Sequence, residues 1–219
     1  MRDAYHEDLD AIGAALVRLT GLVESAITRA TVALMQADLT AAEAVIAGDE
    51  EVDDLYRWIE ARSLDLLARQ QPVAGDLRTL VGGLRMVSDL ERVGDYAVHI
   101  AKVARRRYPA GAVPPELRDI VAEMGATAAS IVAKAGVVIA ERDVAAAREL
   151  ESDDDVMDAL QRRLFRVLLD GGWPHGMEAA IDITLTGRYY ERLADHAVSV
   201  ARQLVYLVTG EHGWAPAHG

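Results

Sequence analysis

Apolar residues recur every three or four positions along most of the chain, the period of a helix that buries one face. Leu9, Ile12, Leu16, Leu19, Val23, Ala26, Ala30 and Ala33 predict a first long helix over residues 2–37. Its seam narrows from Leu to Ala, so a neighbouring helix should approach closely there. Val45, Asp49, Val52, Tyr56, Ile59, Ser63 and Leu66 predict a second helix over 40–69, with Asp38 or Thr40 as its cap. Leu77, Leu80, Leu84, Val87, Glu91, Gly94 and Val98 predict a third over 73–107, with Pro72 in its first turn. On this reading two carboxylates, Asp49 and Glu91, occupy positions where hydrophobes are expected. Gly82, Gly83 and Gly94 each cost the third helix about 1 kcal/mol, so another backbone or a ligand should come close to them.

The stretch 108–115, with three prolines and a glycine, is the strongest breaker in mid-chain. Beyond it the pattern predicts helices over 115–140, from Asp143 to just before Gly171, and over 174–208. The two halves repeat. Asp38-Leu39-Thr40 is echoed by Asp143-Val144-Ala145, Asp49-Glu50-Glu51-Val52 by Asp153-Asp154-Asp155-Val156, and Pro72 by Pro174. The offset drifts from 105 through 104 and 102 to 100. The expected fold is therefore all-α, two tandem three-helix bundles from an internal duplication. Their expected bounds are 1–108 and 114–209, joined by a linker at 109–113 and followed by a flexible tail at 210–219.

The most telling repeat is Asp89-Leu90-Glu91-Arg92-Val93-Gly94-Asp95, matched by Tyr189-Tyr190-Glu191-Arg192-Leu193-Ala194-Asp195. A Glu and an Asp four apart lie on one helix face, one turn from each other. A lone pair of this kind is ordinary surface decoration. Recurrence in both halves, on apparent seams and with Asp49 or Asp153 as a further acid in each, points to a site. Carboxylates in such positions need a neutralising partner. Arg92 and Arg192 are one option, each aimed about 100° from its neighbouring Glu and so better placed for an acid on another helix. A hard cation is the other, since an all-oxygen donor set suits Mg, Ca, Mn or an oxo-bridged Fe cluster. His99 and His196 are not in equivalent positions and read as structural. The Glu-x-x-His spacing of ferritin-like di-iron bundles is missing.

Composition narrows the field further. A net charge of −12 argues against nucleic acid as a partner. With no cysteine there is neither a disulfide framework nor a thiolate metal site. No uninterrupted apolar run reaches the ~18 residues of a membrane span, and the acidic start lacks a signal-peptide core. A cytoplasmic protein without membrane insertion is expected. No nucleophile elbow, phosphate-cradling loop or Walker motif appears, so no enzyme is expected.

With these motifs in hand, the chain resembles the PhoU family over about residues 5–208. The resemblance rests on Arg69-Gln70-Gln71-Pro72-Val73-Ala74-Gly75-Asp76-Leu77-Arg78 and on the two Glu-Arg-x-x-Asp motifs. It implies a non-enzymatic, often dimeric negative regulator of phosphate uptake and phosphate-responsive signalling. Such a protein links the ATPase subunit of the phosphate ABC transporter to a sensor histidine kinase. It also implies metal clusters (Mg, Mn, Fe or Zn) on Glu91, Asp95, Asp49 and Asp53, and on Glu191, Asp195 and Asp153. The position matching Asp53 then falls on Met157, with Asp154 or Asp158 as substitutes. A metal-storage bundle or carboxylate metalloenzyme is the alternative from another functional class.

Overall fold

The computed structural model describes residues 2–210, with side chains from Tyr5 onward. The expected tail beyond Gly210 lies outside the described residues. Six helices follow in order: α1 Arg2–Gln36, α2 Leu39–Gln70, α3 Ala74–Arg107, α4 Arg118–Glu141, α5 Val144–Leu169 and α6 Gly176–Thr209, with a short 3-10 turn at Pro115–Leu117 before α4. Asp38 caps α2 by accepting from the Ala41 amide at 3.0 Å. Asp143 caps α5 in the same way, accepting from Ala145 at 2.8 Å and Ala146 at 3.1 Å. Such caps satisfy amides that a helix start leaves without partners. Pro72 and Pro174 sit in the turns before α3 and α6 and not in their first helical turns. The first of these turns is made by Gln71 and Ala74, both with positive φ (44° and 50°).

The six helices share one continuous core. α1 packs on α2, α3 and α4, while α6 packs on α3, α4 and α5, so the duplicated halves meet through α1 against α4 and α3 against α6. The connection between halves joins in, with Ala112, Val113 and Leu117 all buried. α1 therefore buries more than one stripe: Ile12, Leu16, Leu19 and Val23 are joined inside by Ile27 and Leu34. Two segments, Tyr5–Gln36 and Pro115–Glu141, prove long and apolar enough to cross a membrane by length and composition. This corrects the expectation from uninterrupted runs, which a few charged residues had broken. Both segments belong to the helices at the centre of the inter-half contact, where an apolar surface is needed for packing.

The α1–α4 contact is unusually close and reciprocal. A Cβ added at Gly125 would fall 2.4 Å from Thr31 Cγ2, and one at Gly136 would fall 2.5 Å from Thr20 Oγ1. Each threonine fills the space that a missing side chain leaves. Thr31 also donates to the Ile27 carbonyl at 2.8 Å and accepts, at 2.8 Å, from the Tyr190 hydroxyl. Tyr190 is fully buried, and burial pushes its phenol far above the usual range.

A methyl group at position 125 has no free volume. Gly125→Ala should destabilise the fold by about 1–3 kcal/mol despite a helix-propensity gain of about 1 kcal/mol. In a Thr31→Ala background the same change should cost clearly less, because the obstructing Cγ2 and Oγ1 are gone. Urea unfolding of the four-member cycle measures this, and equal costs in both backgrounds would contradict the packing account.

Candidate metal-binding faces

The first acidic face is built by α2 and α3. Asp49 and Asp53 stand one turn apart on α2, and Glu91 and Asp95 one turn apart on α3. The two pairs lie within each other's field: burial, then the charges of Asp53 and Asp95, raise the Asp49 carboxyl. Burial and then Asp95 raise that of Glu91, with Arg92 opposing. Gly94 brings the helices together here, since a Cβ on it would lie 3.2 Å from Val52 Cγ1 and 3.7 Å from Asp49 Oδ1. Neither Asp49 nor Glu91 is a core residue, contrary to the seam reading. The buried stripe of α3 runs through Leu90, Val93, Gly94 and Ala97, and Leu77 is exposed. Glu91 stands on the rim of that stripe with its side chain 25 % exposed, where a carboxylate keeps part of its hydration.

The second face is built by α5 and α6 from Asp154, Asp158, Glu191 and Asp195. Burial, followed by the charges of Asp195 and Asp158, pushes the Asp154 carboxyl up to about 6. Burial and then Asp195 raise Glu191, and burial raises Asp195. Asp153 is not part of this group. Its carboxylate turns to α4 and accepts from Lys134 Nζ at 2.9 and 2.7 Å.

The reason is register. From α2 to α5 the offset is 105 throughout, pairing Asp38 with Asp143, Val45 with Leu150, Asp49 with Asp154 and Asp53 with Asp158. Aligning the acidic run Asp153-Asp154-Asp155 on Asp49-Glu50-Glu51 slides the match by one residue. Met157 is then no missing ligand. It is the counterpart of Val52, and both are buried. Each face thus has four equivalent carboxylates, and Asp154 and Asp158 take the places expected for Asp153 and Met157.

Cations ring both faces, again in equivalent positions. Arg57 lies 3.8 Å from Asp53 and Arg162 3.7 Å from Asp158. Arg92 Nη1 is 3.0 Å from Asp95 and its Nε 3.7 Å from Glu91, while Arg192 Nη1 is 3.9 Å from Asp195. Arg92 therefore serves the acids of its own helix, against the expectation that it reaches to another, whereas Arg192 also hydrogen-bonds across the seam to the Tyr96 hydroxyl on α3. An i,i+3 spacing brings an arginine back over its own turn. Lys102 and Arg202 act on Asp49 and Asp154 from about two turns beyond Asp95 and Asp195 on α3 and α6. The second face has an extra cation, Arg188, whose Nη1 lies 2.5 Å from both Glu191 oxygens. Among the described residues, no three His, Asp or Glu side chains stand ready around one metal position. In kind the donors fit a hard cation: four oxygen-only side chains on two helices, half-buried and mutually repelling.

Between the faces runs the α3–α6 seam. Asp89 accepts from Ser199 Oγ at 2.7 Å and lies 2.9 Å from His196 Nδ1. Tyr189 stacks on Tyr96 and His99 with ring centroids 6.2 and 5.2 Å apart. These contacts are the same contact seen twice, since positions 89, 96 and 99 correspond to 189, 196 and 199. The two halves are thus related by a local two-fold axis, with one acidic face on either side. Both histidines belong to this seam. Sequence reading missed it because the paired positions carry different residue types in the two halves.

A family model for the PhoU domain matches the chain twice, at residues 16–104 and 121–204. A Mycobacterium tuberculosis protein named phosphate-specific transport system accessory protein PhoU homolog 2 is 47% identical over 210 residues, covering 96% of this chain and 99% of that one. PhoU homolog 1 of Mycobacterium leprae is 46% identical over 96% of this chain and 95% of its own length. The crystal structure of PhoU from Pseudomonas aeruginosa superposes with a TM-score of 0.89 at 29% identity, covering 94% of this chain and 100% of that one. The phosphate transport system regulatory protein PhoU from Streptococcus pneumoniae shares the fold, with a TM-score of 0.86 at 24% identity, covering 96% of this chain and 100% of its own. The chain belongs to the PhoU family.

The raised carboxyls have a consequence for stability. A group that holds its proton more tightly when folded favours the folded state below its unfolded pKa and loses that advantage as pH rises through the folded value. For Asp154 this window runs from the usual carboxylate range up to about 6. Cation-free protein should therefore have a higher urea midpoint at pH 5 than at pH 7.5, and Asp154→Asn should reduce the difference. An unchanged difference in that variant would place the effect elsewhere.

Proposed function

We propose that this protein is a cytoplasmic, homodimeric negative regulator of phosphate uptake and phosphate-responsive signalling. It binds the ATPase subunit of a phosphate ABC transporter and a sensor histidine kinase, and it turns over no substrate. The observation that carries the reading is similarity to phosphate-specific transport system accessory proteins at 47% identity over 96% of the chain. Such a protein acts by preferring one state of its partner over another, because only differential affinity shifts an equilibrium. A rigid helical body with one acidic face on each side of a local two-fold axis suits that role, since it offers related surfaces to two partners.

The acidic faces are the proposed cation sites. Asp49, Asp53, Glu91 and Asp95 would hold one metal ion or cluster, and Asp154, Asp158, Glu191 and Asp195 the other. A bound divalent or trivalent cation supplies the positive charge that four half-buried carboxylates lack. Each helix presents its pair of carboxylates at i,i+4 spacing, on one face and one turn apart. The chemistry of the donors supports Mg, Mn or Fe over softer metals.

Pull-down of the full chain against the transporter ATPase and candidate sensor kinases tests the proposal, with and without Mn2+. Capture of both partners, weakened at least about tenfold by Glu91→Lys with Asp95→Lys, is the expected result; each lost charge-assisted contact is worth about 1.5–3 kcal/mol. Capture of neither partner, by protein that still unfolds cooperatively, contradicts it.

A further inference from the structure

We infer that Arg92 in the first acidic face, and Arg188 with Arg192 in the second, are internal latches that hold the carboxylates apart in the cation-free protein. The inference rests on the cation reading above and adds what regulates those sites. Arg92 spans both acids of its motif, at 3.0 Å from Asp95 and 3.7 Å from Glu91. Arg188 places Nη1 2.5 Å from both oxygens of Glu191, while Arg192 lies 3.9 Å from Asp195 and hydrogen-bonds to Tyr96 on α3, so Arg188 is the main latch of the second face. In each face the two carboxylates of the Glu-Arg-x-x-Asp motif are thereby engaged by guanidinium groups of their own helix. These same-helix contacts compete with convergence of the four acids, which share one field: Asp95 acts on Asp49 and Asp195 on Asp154 across the gap between helices.

The latches are built to open. Arg92, Arg188 and Arg192 have side chains 57%, 52% and 40% exposed, so each can swing into water without uncovering the core. An exposed pair of this kind changes an equilibrium by at most about fivefold. Release is therefore a modest toll on cation binding, and the latches set its threshold without preventing it. The arginine inside the motif is then as functional as the acids around it. Arg188, which has Ser88 as its counterpart in the first half, makes the second face the more tightly latched.

Calorimetric titration of the full chain with Mn2+ tests this. Arg92→Ala should tighten binding at the first face about two- to fivefold, and Arg188→Ala with Arg192→Ala should do the same at the second. Arg69→Ala, which removes an exposed arginine paired with Asp65, controls for net charge and should change little. Arg92→Gln provides a second route should the alanine variant fold poorly. In a Mg2+ titration of the wild type, the Nε–Hε resonances of Arg92 and Arg188 should shift toward those of a free guanidinium. Mn2+ binding by the wild type that is unchanged or weakened in Arg92→Ala and Arg92→Gln would overturn the latch and leave the cation sites standing. No binding by the wild type or any latch variant would overturn both. Binding only after the arginines are removed would exceed what exposed pairs supply and would overturn a latch that merely sets the threshold.

Discussion

The close approach of α1 to α4 governs where everything else can sit. Thr31 occupies the place of a side chain at Gly125, and Thr20 that at Gly136. At an offset of 105, Thr20 corresponds to Gly125 and Thr31 to Gly136. Two copies of the first half would therefore set threonine against threonine twice, and two copies of the second would set glycine against glycine. One half has kept both projections and the other both hollows, so the halves fit each other better than either fits itself. Interiors tolerate neither an extra methyl group nor a void without loss. That complementarity fixes the spacing at which α3 can meet α6.

The α3–α6 seam shows how far the halves have diverged under that constraint. At one end Gly82 lies against Leu207, with a hypothetical Cβ only 3.3 Å from the leucine Cδ1. At the other, the equivalent positions are Asp182, buried at 3% exposure, and Arg107, joined by Arg106. An apolar contact has become a buried ion pair, acceptable only because two guanidinium groups satisfy the carboxylate. The middle of the seam has diverged in the same manner, with Asp89, His196 and Ser199 set against Tyr189, Tyr96 and His99. The acidic faces on its flanks have not diverged. All four carboxylates and three cations are repeated, an exception that marks these faces out from the rest of the surface.

Helix positions were legible in the sequence because long amphipathic helices announce themselves by period, and Asp38 and Asp143 mark two starts by cap chemistry. The motif acids Glu91, Asp95, Glu191 and Asp195 were legible through their repetition. Asp154 and Asp158 were reached only as substitutes, because three consecutive aspartates at 153–155 leave the register ambiguous unless core partners such as Val52 and Met157 are aligned first. The seam assignment of Glu91 and Asp49 failed for a related reason. A one-dimensional i,i+3/i+4 pattern cannot separate the centre of a stripe from its rim, and α3 serves α1, α2 and α6 together. Arg188 was invisible, since only its neighbour across one turn gives it meaning.

The central claim is that the two four-carboxylate faces are equivalent cation sites placed by the duplication. Anomalous X-ray scattering from crystals of the full chain soaked in Mn2+ addresses it most directly. The account predicts one anomalous peak or cluster between α2 and α3, within bonding distance of Asp49, Asp53, Glu91 and Asp95. It predicts a second, related by the local two-fold axis, at Asp154, Asp158, Glu191 and Asp195. Peaks confined to the Asp153–Lys134 side of α5, or absent from both faces while Arg92 and Arg188 keep their carboxylates, would contradict it.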